Sequence, residues 1–126
     1  MKGKVYDITK LSESNEIDME LVRLFFFNNQ DYFNGLTEFL FEYQQYLGHY
    51  TPAFVINSPE DKGLFLAECF KVRASLMRLG LRLALEELDY MEDAIYAENV
   101  KAFSDGQVKF EAAIQIYKRL FKAVQL

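Results

Sequence analysis

The chain has 126 residues, half of them apolar (51%) and a quarter charged (26%), with twelve Phe, eight Tyr and a single Cys. That is enough length and apolar content to bury one core, and too aromatic for a disordered chain. The formal net charge of −5 disfavours a surface built to neutralise nucleic-acid phosphates or to dock on an anionic membrane.

Lone Cys69 excludes a disulfide framework and a multi-cysteine metal site. The opening "MKGKVYDITK" has basic residues but no apolar segment of a secretory signal. No apolar run reaches the roughly 20 residues a membrane helix needs. The expected compartment is therefore the cytoplasm, and the expected organisation a single domain over 1–126. No cofactor and no metal are expected.

In chain order, residues 1–16 read as a short extended or helical arm. Asp18 is a plausible N-cap for a first helix over about 18–28, "MELVRLFFF" following it. A second helix is expected at about 30–47. Its apolar positions Phe33, Leu36, Leu40, Tyr43 and Leu47 keep the alternating three–four spacing of a bundle seam, and Gly48 is a natural stop. Residues 48–58, "GHYTPAFVINS", read as a loop whose Phe54, Val55 and Ile56 are apolar enough to fold back over the bundle.

The third helix, 59–79, has the firmest start: Ser58 as cap, Pro59 at the first helical position and Asp61 near the positive end of the dipole. Gly80 supplies the left-handed residue that ends it. A fourth helix at about 81–97 has Leu81, Ala84, Leu88, Met91 and Ile95 as its seam. Asn99 can cap the last, at about 100–125, where Val100, Phe103, Phe110, Ile114, Tyr117, Phe121 and Val124 share one face and Gln107 interrupts it. Gly106 weakens this helix, so a break near "SDG" is one expectation. Short links between long amphipathic helices make antiparallel neighbours. The expected fold is all-α, an up-down four-helix bundle with an additional short N-terminal helix.

At about 100° per residue, Phe65, Cys69, Val72, Leu76 and Leu79 gather in one sector of the third helix, its core face. Phe70 falls on the far side, with Leu66, Arg73 and Met77 beside it at i−4, i+3 and i+7. A helix with two apolar stripes either sits between layers or presents one to a partner. The plainer alternative is that the 48–58 loop or the N-terminal arm covers the second stripe.

The stretch "FKVRASLMRLG", followed by "LRLALEELDYMEDAI", resembles the third and fourth helices of histidine phosphotransfer (HPt) domains of bacterial phosphorelays. There a His-x-x-Lys-Gly core is followed by small residues and a closing Leu-Gly pair. Aligned on Leu79-Gly80, Arg73 stands for the lysine, Ala74 for the glycine, Ser75 for a small position and Glu92 for a later acidic one. The front, "YDITKL" and then "DMELVRLFFF", is similar to the opening of such domains, so the resemblance covers most of the chain.

The resemblance implies a five-helix HPt-like fold and a partner that is a response-regulator receiver or sensor-kinase domain. It places Leu66, Phe70, Arg73, Ala74 and Met77 at the partner-binding face. It also implies a loss, because Phe70 occupies the phosphoacceptor position and a phenyl ring has no nucleophilic atom. Sliding the register would bring up Cys69 or Glu68 at the expense of the Leu-Gly match, and the only histidine, His49, lies in the loop.

The expectation is therefore a non-phosphorylatable docking module rather than an enzyme. The alternative, from another class, is a self-associating bundle whose outward stripe is an oligomer seam. Glu86, Glu87, Asp89, Glu92 and Asp93 make the fourth helix acidic. With one histidine they cannot build a carboxylate-bridged di-iron site, so they read as a solvated face. Lys118, Arg119 and Lys122 complement the dipole of the last helix without any nucleic-acid partner.

Overall fold

The helix that the sequence marks most firmly begins where its cap chemistry dictates. In a computed structural model that describes residues 17–25, 29–42, 47 and 50–123, the Ser58 hydroxyl accepts the Asp61 amide, and Pro59 opens the helix Pro59–Leu79. Six helices occur among the described residues. They are α1 (Met19–Phe25), α2 (Asn29–Glu42), α3 (Pro52–Asn57), α4 (Pro59–Leu79), α5 (Arg82–Tyr96) and α6 (Val100–Ala123). The chain is all-α, with no strand among the described residues beyond an isolated bridge between Ile17 and Leu81.

Two expectations change. The 48–58 segment is not a plain loop, because Pro52–Asn57 is helical. Val55 donates to the Thr51 carbonyl at 3.0 Å, and Val55 and Ile56 are buried in the core. The segment is short and apolar, so burial rather than amphipathic period makes it fold. The expected break near Gly106 is also absent, for α6 runs unbroken through it. A Cβ there would lie 2.6 Å from Met91 Cγ, so the glycine lets α5 and α6 approach closely, and packing overrides its poor helix propensity. Gln107, the polar interruption, donates its side-chain amide to the Tyr50 carbonyl at 2.9 Å.

Gly80 has φ 70°, the left-handed C-cap that closes α4. Its carbonyl accepts the Asp18 amide at 2.8 Å, tying the entry of α1 to the α4–α5 turn. This two-residue turn, and the pairing of Arg73 with Asp89 and Glu92, run α4 and α5 antiparallel. α5 and α6 are antiparallel too: Leu83 donates to the Tyr117 hydroxyl at 2.8 Å while Met91 meets Gly106.

The core is seamed by Leu36 and Leu40 of α2, Phe65 and Leu76 of α4, Leu88 and Ile95 of α5, and Phe103 and Ile114 of α6. Phe65 meets both Tyr50 and Phe103 edge-on at 5.0 Å. The buried Tyr32 hydroxyl is satisfied by the Leu79 carbonyl at 3.0 Å. Val100, expected in the α6 seam, is exposed at the helix entrance instead. The expectations for residues 1–16, Tyr43, Gly48, His49, the Phe54 side chain and Val124 lie outside what the structure describes.

Candidate docking face

Helix α4 turns Phe65, Cys69, Val72, Leu76 and Leu79 inward, all buried. The same period must carry the residues half a turn away outward. Phe70 is 77% exposed and Met77 42%, with Ala74 exposed between them. The α3 segment packs inward and leaves Phe70 uncovered. Leu66, the fourth apolar member, is half-buried against the core and supports the row from beneath its edge.

Arg73 borders the row on the α5 side. Its Nη1 donates to Asp89 Oδ1 and its Nη2 to Glu92 Oε1, the latter at 2.7 Å. Partial burial alone would lower the guanidinium pKa, but the bonds to Glu92 and Asp89 outweigh it, and the net shift is upward. A guanidinium forked between two carboxylates is a fixed, fully charged element of the wall. The resemblance places Arg73 at the partner-binding face; in the fold a donor on each of its two terminal nitrogens is engaged by α5. The local sum of Arg73, Asp89 and Glu92 is one negative charge.

The substitute nucleophiles fare no better. Cys69 lies buried beneath the row, and burial, followed by the charge of Glu92, pushes its thiol well above the ordinary range. A thiol held neutral is neither nucleophile nor metal ligand. Glu68 keeps one oxygen 3.8 Å from Lys71, while its other, Oε2, is buried with no hydrogen-bond partner. Among the described residues no group of His, Cys, Asp and Glu is placed to hold a metal ion, and no helix is long and apolar enough to cross a membrane.

One feature of this face escaped the sequence reading, and a second was read as a solvated acidic face without its position beside Phe70. On the edge of α4 away from α5, Lys71 and Arg78 are exposed side by side, seven residues apart and so on one line. On α5 the exposed residues Arg82, Glu86, Asp89 and Asp93 repeat at four, three and four, an outward row running along the other edge. The spacing was visible, but its position beside Phe70 depends on how α5 packs. The chain matches no protein-family model, no curated protein and no solved structure.

Proposed function

We propose that this protein is an HPt-like module of two-component phosphorelay signalling that docks a response-regulator receiver or sensor-kinase domain in the cytoplasm without carrying phosphate. On this reading α2, α4, α5 and α6 are the four bundle helices and α1 the short additional one. The observation that carries it is the exposure of Phe70. The position aligned with the phosphoacceptor histidine projects from the middle of α4, flanked by Ala74 and Met77, so that a large aromatic stands within an outward apolar row, the kind of patch on which a protein contact is anchored. With no nucleophile at position 70 and a protonated thiol at 69, the contact would be the function.

Titration with purified receiver domains and sensor-kinase phosphotransfer domains, followed by calorimetry, tests the reading. Binding should saturate and be abolished by Phe70→Asp. Phe41→Asp serves as the control, since Phe41 is equally exposed on α2 beside Lys118. Absence of binding, or binding that ignores Phe70→Asp, removes the proposal.

A further inference from the structure

We infer that a second copy of this chain packs on the same face, α4 against α4 in parallel about a twofold axis. The inference goes beyond the docking proposal, because it concerns what occupies the Phe70 row when no signalling partner is bound. It rests on the charge pattern around that row. One edge is net basic, with Arg78 and Lys71 on α4, the latter 3.8 Å from the half-buried Glu68; the other is net acidic, with Arg82, Glu86 and Asp93 on α5 beside the Arg73–Asp89–Glu92 cluster.

A face with an apolar centre and edges of opposite sign can meet itself in two ways. A twofold axis running along α4 lays each basic edge over the partner's acidic edge. An axis running across α4 reverses the helix and lays acid on acid and base on base, which costs rather than gains. Only the parallel arrangement is self-complementary.

The heights agree as well. With about 1.5 Å of rise per residue, Arg78 stands about 7 Å beyond Arg73 along α4. Glu86, counted back along antiparallel α5 from the Asp89–Glu92 pair that marks Arg73's level, stands at about the same height. Lys71 lies about 3 Å on the other side of Arg73, and Asp93 lies at about that level. An axis parallel to α4 preserves height, so Arg78 meets the other copy's Glu86 and Lys71 its Asp93, with the two Phe70 rings stacked at the axis. Arg82, at the head of the α5 row, lies above these contacts. The small side chains of Ala67 and Ala74, both exposed beside Phe70, leave room for the opposing ring. Self-association would then cover the docking row, so a signalling partner would compete with the second copy for Phe70.

Sedimentation equilibrium over a concentration series should show a reversible monomer–dimer equilibrium, weakened at least about thirtyfold by Phe70→Asp, as for a central aromatic anchor. Direction is read by oxidation of single-cysteine additions, the buried Cys69 serving as the silent background. Ala67→Cys and Ala74→Cys should each cross-link to their own kind, whereas an antiparallel contact cross-links only their mixture. Charge is read by two double variants, Lys71→Glu/Arg78→Glu and Glu86→Lys/Asp93→Lys, each expected to be monomeric alone and dimeric when mixed. These positions are all exposed, and circular dichroism checks that each variant is folded. A strict monomer up to about 1 mM, cross-linking in the mixture only, or charge variants that associate alone but not together overturns the inference. A monomer that binds a receiver domain through Phe70 overturns it while leaving the proposed function standing. A parallel dimer that binds no such domain does the reverse.

Discussion

Replacing Arg73 by Met keeps the apolar stem of the side chain and deletes the fork that joins α4 to α5. The two arms of that fork are unequal. Glu92 is 23% exposed and bonded at 2.7 Å, while Asp89 is 57% exposed. A hydrogen bond between charged groups in the half-buried setting contributes about 1.5–3 kcal/mol, whereas an exposed pair contributes about 0–1 kcal/mol. Arg73→Met should therefore cost about 2–3 kcal/mol, Glu92→Gln about 1–2 and Asp89→Asn under about 1. The two carboxylates sit three residues apart on one helix, so without the cation they also repel each other. A double-mutant cycle should accordingly give a coupling of about 1–2 kcal/mol between positions 73 and 92 and a smaller one between 73 and 89. Urea unfolding at low and high ionic strength is the assay, and only the Asp89 arm should erode strongly with salt. If Asp89→Asn costs as much as Glu92→Gln, or Arg73→Met costs less than about 0.5 kcal/mol, the reading of this wall as a built element is wrong.

Stability should decline with two successive slopes as pH rises. Burial raises the Cys69 thiol and the Tyr32 hydroxyl above their ordinary values, so each contributes stability that is intact below its unfolded pKa and lost as pH rises toward its folded one. Stability should be level to about pH 8.5, then fall by about 1.4 kcal/mol per pH unit as the unfolded-state thiol ionises, and at least about twice as steeply above pH 10, where Tyr32 and the likewise raised Tyr50 add to it. Chemical denaturation across pH 7–11 measures this. Cys69→Ala should lower the plateau but hold it level to about pH 10, and a decline at pH 9 in that variant would refute the assignment. Gly80→Ala should cost about 2–4 kcal/mol, because its φ of 70° is left-handed and its new Cβ would lie 2.6 Å from the Asp18 carbonyl that enters α1. Thermal melts check it, and a cost under about 1 kcal/mol would show that α1 lifts off freely.

What could be read from the chain, and what could not, follows from the range of each interaction. α4 was legible to the residue because its caps are local chemistry: Ser58, Pro59 and Gly80 act on backbone groups within a turn. The outward phase of Phe70 was legible for the same reason, as a helix fixes direction by counting. α3 was not, since six residues are too few for a period to declare itself, and its folding rests on burying Val55 and Ile56. Gly106 was misread because propensity is a weak prior beside a contact with Met91 fifteen residues earlier. Arg73's partners were invisible by count alone. Asp89 and Glu92 look like part of a solvated acidic face until the packing of α5 on α4 brings them to the guanidinium.

That last difference has a chemical consequence at position 70. In the HPt-like reading, the cation one turn beyond the phosphoacceptor serves an incoming phosphoryl group, and its charge must be available there. Arg73 is forked between two carboxylates, leaving a net negative charge beside position 70. Phe70→His alone should therefore be a poor acceptor even though its ring nitrogen can attack the phosphorus of an aspartyl phosphate and release the carboxylate. Adding Asp89→Asn and Glu92→Gln removes both negative charges and leaves the charge of the guanidinium uncompensated. Weakening the repulsion by about 1.4 kcal/mol should raise the transfer rate at least about tenfold over the single variant. The measurement is acid-labile phosphate appearing on the protein during incubation with a phosphorylated receiver domain. If the single variant accepts phosphate as fast as the triple, the clamp on Arg73 does not limit transfer at position 70, and in the HPt-like reading the phenylalanine alone would be what withholds phosphate.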